Sequence, residues 1–226
     1  MMSNEIEVVV FDFDGTLFDT KLDYKNMKKD TFNFLTSKYN LPQNYLSTNY
    51  RINKMVTLTI EYLRNHGRNV NPDEVLEDID EILKKYEIKA IDVGKPKDGL
   101  IDVLDFLKKR GMKIAILTNT NREVIEAILE KYKVDSFFDI VVTRNETKVL
   151  KPNPKGLLLI SESFNVPTHK IVFIGDSIID MQTAVNAKAH AWGFVGGVSS
   201  DNDLREAGAE LVIRNLKEIK TIFDDC

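Results

Sequence analysis

The chain has 226 residues, 43% of them hydrophobic and 29% charged, with a formal charge of −4. This length and balance predict one large domain, or a domain carrying a smaller insert, with enough apolar residues for a packed core and no call for disorder. The mild negative charge gives no basic footprint for nucleic acid and no polybasic patch for anionic lipid, and no apolar run approaches a membrane span.

No basic segment leading into a long apolar core opens the chain, which predicts a cytoplasmic protein. Ile6 to Phe11 is apolar, β-branched and aromatic, and Val8–Phe11 reads as a fully buried parallel strand. It runs straight into Asp12-Phe13-Asp14-Gly15-Thr16-Leu17. Two ionised carboxylates about 4 Å apart repel by roughly 4 kcal/mol at an effective dielectric of 20. Packing gives no reason to place them there, so a cation must compensate them, and a metal ion is the usual one. A plain polar turn on Asp14-Gly15 is the alternative.

Residues 19–91 read as helical. Amphipathic stretches at Tyr24–Tyr39, Asn49–Asn65 and Pro72–Tyr86 are separated by Leu41-Pro42 and by His66-Gly67 to Asn71-Pro72, with no convincing strand among them. They predict a small all-α cap inserted after the first strand. Crossings at Leu17–Thr20 and Ile88–Pro96 would serve as a hinge pair, with Val93-Gly94-Lys95-Pro96 as the returning linker. The core then comprises 1–18 and 92–226. Arg51 and Lys54 are candidate contacts for an anionic substrate, against the plain alternative of solvated helix residues. His66 is read as a loop residue, and Tyr45 and Tyr50 as packing.

Beyond residue 92, strands at Lys113–Leu117, Ile140–Val142 and Ile171–Ile174 alternate with helical stripes. One stripe is Leu100, Val103, Leu104 and Leu107; a second is Val124, Ile125, Ile128 and Leu129; Leu157, Leu158 and Ile160 belong to a third. The alternation predicts a doubly wound α/β domain, a parallel sheet with helices on both faces. Ligands of such sheets bind outside the carboxyl ends of the strands. At those ends stand Thr118-Asn119, before a helix starting near Asn121, and Gly175-Asp176-Ser177-Ile178-Ile179-Asp180, while Lys151-Pro152-Asn153-Pro154 precedes another helix. Each piece has a plain reading as a helix cap, a stiff turn or a first-turn acid. With Asp12 and Asp14 they bring four Asp, a hydroxyl, an amide and a Lys to the place where the fold focuses a site. The sole cysteine, Cys226, ends the sequence, which admits no internal disulfide and no cysteine-based metal site.

On these four motifs the chain resembles the haloacid dehalogenase-like phosphohydrolases, whose core is Rossmann-like, and especially members with a helical cap after the first strand. The resemblance covers nearly the whole chain. Asp12–Leu17 resembles the first motif, Leu117-Thr118-Asn119 the second, Lys151 the third and Gly175–Asp180 the fourth. Leu204 and Ala207-Gly208-Ala209 to Ile219 resemble the closing segment of phosphoglycolate-phosphatase-like members.

This resemblance implies that Asp12 is the nucleophile, forming an aspartyl-phosphate, and that Asp14 serves as general acid and then base. It implies Mg²⁺ held by the Asp12 carboxylate, the Asp14 backbone carbonyl and the Asp176 carboxylate, with Asp180 reaching the ion through water or orienting a ligand. Lys151 would place a point charge between nucleophile and transferring oxygens. The Thr118 hydroxyl and backbone N–H groups near Gly15 and Asn119 would hold the phosphoryl oxygens, with Gly15 allowing close backbone approach. The implied substrate is a small phosphorylated metabolite; the sequence leaves the oligomeric state open, and a monomer or weak dimer is the expectation. Asp14 argues against dehalogenase and phosphonate-cleaving relatives, which generally lack it. A sugar phosphomutase with the same core, or a catalytically silent binding protein, is the alternative. At Lys188 the chain departs from relatives that carry Gly after Asn-Ala, which predicts an effect on a turn.

Overall fold

Four residues with no exposure on either face, Val8–Phe11, form the central strand β1. The structure is a computed structural model describing residues 6–224, so Cys226 lies outside the described residues. After β1 come β2 (Phe18–Asp19), α1 (Tyr24–Tyr39), α2 (Ile52–Asn65), α3 (Pro72–Val93) and β3 (Lys95–Pro96). The chain continues through α4 (Leu100–Lys109), β4 (Lys113–Leu117), α5 (Arg122–Tyr132), β5 (Ile140–Val142), α6 (Arg144–Thr147) and α7 (Lys155–Phe164). It ends with β6 (Ile171–Gly175), α8 (Ile178–Ala187), β7 (His190–Phe194), α9 (Asp201–Glu206), β8 (Leu211–Ile213) and α10 (Glu218–Asp224).

Six strands pair in the order β5-β4-β1-β6-β7-β8, all parallel. The chain builds outward from β1 through β4 to β5, returns to β6 on the other side of β1, and builds outward again. Strand order therefore reverses at β1, which opens a crevice at its carboxyl end. Phe11 is in register with Ile116 of β4 and Ile174 of β6. Residues 12, 118 and 176 consequently leave the sheet at nearly one height. Alternate residues face opposite cores, as the two-residue period of a strand requires: Val9 and Phe11 pack with α4 and α5, Val8 and Val10 with α7 and α8.

The structure adds strands that the sequence reading did not name. His190-Ala-Trp-Gly-Phe carries no β-branched run, and Leu211–Ile213 is only three residues long, so neither pattern stands out. Both are built as outer members of a sheet whose centre is already set.

Between β2 and β3 the three helices α1, α2 and α3 bury a core of their own, including Met27, Leu35, Met55, Leu63, Ile79 and Leu83. Helix α1 spans the predicted residues. Helix α2 starts at Ile52 instead of Asn49, because the Tyr50 N–H donates to the Ser47 carbonyl and closes a turn there. Helix α3 runs on to Val93 instead of stopping at Tyr86. Its buried positions Leu83, Glu87 and Ala90 keep helical spacing, but a carboxylate on that face masked the continuation. Of the expected linker only a short piece remains extended, Lys95–Pro96, paired antiparallel with Phe18–Asp19. Tyr45 and Tyr50 pack on the insert's core, and His66 follows α2, stacked on Tyr62. Among the described residues no helix is long and apolar enough to cross a membrane.

Lys188 closes α8 in the left-handed conformation, φ 57°, its N–H donating to the Val185 carbonyl. A side chain there works against the usual preference for glycine at this position. Lys188→Gly should therefore raise unfolding free energy by about 0.5–1 kcal/mol in a urea titration. A loss of stability would contradict that account of the turn.

Candidate active site

Asp12 continues the β1 ladder, its N–H donating to the Ile174 carbonyl at 2.8 Å, and so its carboxylate is delivered to the carboxyl edge of the sheet. Residues 13–18 then turn tightly: the Leu17 and Phe18 N–H groups both donate to the Phe13 carbonyl, and the Phe13 and Phe18 rings stack at 4.7 Å. Gly15 has φ +87°, and a Cβ on it would fall 2.5 Å from an Asp176 carboxylate oxygen. The missing side chain lets the turn close on that carboxylate. The Gly15 N–H itself is taken up inside the turn, donating to the Phe18 carbonyl at 2.7 Å.

Lys151 reaches in from the segment before α7. Its ammonium donates to Asp12 Oδ1 at 2.5 Å, to Asp180 Oδ1 at 2.6 Å and to the Leu117 carbonyl at 3.3 Å. Its backbone N–H donates to Asn119 Oδ1 at 2.9 Å, so the Asn119 side chain acts as a strut for the lysine. Asp180 spends its other oxygen on the Ser177 N–H and hydroxyl, at 3.0 and 2.6 Å, which caps α8. Asp180 thereby orients Lys151. Asp176 Oδ2 accepts the Val198 N–H at 2.7 Å, and a Cβ on Gly197 would lie 1.7 Å from that oxygen. The loop after β7 thus wraps Asp176, a role that only the Gly196-Gly197 pair hints at in the sequence.

Asp14 Oδ2 accepts the Thr120 hydroxyl at 2.5 Å, while its Oδ1 is buried with no partner. Thr118 is buried, its Oγ1 accepting the Thr120 N–H at 3.1 Å. The sequence reading named Thr118 and Asn119 but neither Thr120, which donates to Asp14, nor Thr20, which also bonds that carboxyl.

Oxygens of Asp12, Asp176 and Asp180 all lie within 4.8 Å of one another. Burial, and then the Asp180 charge, hold the Asp12 carboxyl well above its usual range against the pull of Lys151. Burial also raises Asp14. Asp176 is pushed up to about 6 by burial and by Asp180. Burial works to lower the Lys151 ammonium, but Asp12 and Asp180 hold it above its ordinary value. One ammonium facing Asp12, Asp14, Asp176 and Asp180 leaves excess negative charge on oxygen donors alone, which suits a hard divalent cation.

Above these groups, between core and insert, lies a cavity of about 370 Å³. Arg51 is in its wall. Lys54 is not; its ammonium sits over the Tyr50 ring, 4.2 Å from the centroid.

A second polar cluster ties the insert to the core, and the sequence reading missed it. Arg144, at the start of α6 and 1% exposed, donates through Nε to Asp80 at 2.7 Å and through Nη1 to Glu87 at 2.6 Å and the Asn119 carbonyl at 2.7 Å. Glu87 also accepts the Asn121 N–H at 3.1 Å. One visible signal was Glu87 itself, a carboxylate on the apolar face of α3. Removing one partner of a buried pair leaves the other charge uncompensated, so Arg144→Met should cost about 3–5 kcal/mol of stability in a urea titration. A loss below about 1 kcal/mol would mean that the cluster is no better than a surface pair.

Comparison with known proteins gives concordant findings. The family described as haloacid dehalogenase-like hydrolase matches residues 9–194. The pyrophosphatase PpaX of Halalkalibacterium halodurans is 22% identical over 218 residues, covering 96% of this chain and 97% of that protein. A hydrolase from Pseudomonas syringae superposes with a TM-score of 0.70 at 24% identity, covering 97% of this chain and 98% of that one. A family hydrolase from Deinococcus radiodurans R1, solved with bound phosphate and sodium, superposes with a TM-score of 0.65 at 18% identity, covering 98% and 96%.

Proposed function

Because the chain belongs to the haloacid dehalogenase-like hydrolases, we propose that it is a Mg²⁺-dependent phosphatase that hydrolyses small phosphate monoesters through an aspartyl-phosphate on Asp12. The observation that carries this reading is the buried contact of Lys151 with Asp12 and Asp180, beside an Asp14 carboxylate that has one unpartnered oxygen. Asp12, the backbone carbonyl of Asp14 and Asp176 would hold Mg²⁺, which supplies positive charge against the dianionic ester.

In the first step Asp12 attacks phosphorus, and the ester oxygen leaves as an alcohol with a proton from Asp14. In the second, Asp14 takes a proton from water, which attacks the aspartyl-phosphate; inorganic phosphate leaves and the Asp12 carboxylate is restored. The raised Asp14 carboxyl supports proton storage between the two steps. Lys151, fixed by Asp180 and Asn119, screens the approach of two anions. Thr118 and the backbone around Asn119 face the transferring oxygens.

We read residues 19–91 as a cap over a core of 1–18 and 92–226, excluding water during the first step. The separate core of α1–α3 and the cavity beneath them support this, and the β2–β3 pairing marks the crossing point. We also read the protein as a cytoplasmic monomer or weak dimer. Incubating it with phosphorylated metabolites and Mg²⁺ should release inorganic phosphate. Accumulation of an isomerised sugar phosphate would point to a mutase instead, and silence across a broad panel would point to a binding protein.

A further inference from the structure

We propose that this site prefers phosphate monoesters whose leaving group carries an apolar body of about ring size over pyrophosphate and over esters of short alcohols; this rests on the phosphatase reading above. A phosphoryl group and a cation need on the order of 60 Å³ at about 10–15 Å³ of cavity per water-sized atom, and the cavity offers about 370 Å³. The cavity's lining includes Met27, Ile52 and Leu83 from the insert and Leu150, Ile179 and Val198 from the core. Leu150 also packs on the insert's own core, so both units share one apolar wall.

Exposure points the same way. Val198 is among the chain's exposed large hydrophobic side chains, at 68%, and belongs to this lining; Tyr24 lines it too, its phenol end held protonated by burial and by the nearby Asp14 and Asp12. Apolar surface turned into a concave site is contact area waiting for an apolar ligand.

Charge argues against a second phosphate. The cavity's lining carries Asp12, Asp14, Asp176, Asp180 and Glu87, of which Glu87 is matched by Arg144, and Asp12 and Asp180 share the one ammonium of Lys151. The insert contributes Lys28 and Arg51, which are half-buried and exposed respectively. Such hydrated cations draw a dianion toward the opening but do little to hold one at an apolar wall. An apolar leaving group of about 100 Å² buried there corresponds to roughly 50-fold in kcat/KM.

The test compares ethyl phosphate, 2-phenylethyl phosphate and pyrophosphate, each with the full chain and Mg²⁺. The two alcohols leave with similar basicity, so their ratio reports contact with the wall and not ease of bond breaking. The expected result is a kcat/KM for the phenylethyl ester about 50-fold above that of ethyl phosphate and a KM below that of pyrophosphate. Val198→Asn keeps the backbone N–H that serves Asp176 and alters an exposed position, and it should shrink the ester ratio about five-fold. Equal kcat/KM for both esters, or a KM for pyrophosphate below that of the phenylethyl ester, would overturn the preference while leaving the phosphatase reading intact. Hydrolysis of none of the three would overturn both.

Discussion

Asp12→Asn is expected to lower turnover of any phosphate ester by about 10⁴-fold or more, with the fold retained. The amide keeps the shape of the side chain but offers no anionic oxygen to phosphorus. The same substitution should leave the Mg²⁺-free protein no less stable, because the charge it removes is one that burial and Asp180 already disfavour. Phosphate release and urea unfolding, measured on one preparation, separate these two effects. A variant within about ten-fold of the parent rate would end the assignment of Asp12 as nucleophile.

Mg²⁺ is expected to stabilise the protein far more at pH 7.5 than at pH 5, and its removal by EDTA should stop hydrolysis reversibly. The sign follows from the carboxyls. Asp176 holds its proton up to about 6 in the folded protein, whereas an unfolded Asp releases it near 3.9. Between those values the folded state binds more protons, so this group lowers the stability of the Mg²⁺-free protein as pH rises through that window. Asp12 acts in the same direction. A bound cation favours the ionised carboxylates, and protons compete with it below about pH 6. The difference in melting temperature with and without Mg²⁺ should therefore grow between pH 5 and 7.5. A Mg²⁺ effect that is constant with pH, or hydrolysis that survives chelation, would contradict the ion-binding role given to these carboxylates.

Much of this architecture was legible in the sequence for simple reasons. The strands β1, β4, β5 and β6 are apolar runs rich in β-branched residues, and helix α1 shows its full periodicity. Asp12, Thr118 and Asp176 stand just past strand ends, so a parallel sheet brings them together whatever the loops do. What stayed hidden depends on meetings between distant segments. Arg144 reads as an ordinary first-turn residue behind a Thr143 capping box, and its burial becomes apparent only once Glu87, 57 residues away, is laid against it. The Asp176–Val198 bond likewise requires a loop whose path the sequence does not state. Glu87 was also what shortened the predicted α3, since one charge on an apolar face interrupts the stripe.

The most direct test of the aspartyl-phosphate uses Asp14→Asn with p-nitrophenyl phosphate and Mg²⁺. Nitrophenolate leaves without help from an acid, so the first step survives, whereas attack by water has lost its base. The account predicts a nitrophenolate burst stoichiometric with enzyme, followed by slow turnover, and an acid-quenched peptide carrying phosphate on Asp12 that borohydride reduces to homoserine. Turnover at the parent rate with no burst, or phosphate found on a different side chain, would contradict it.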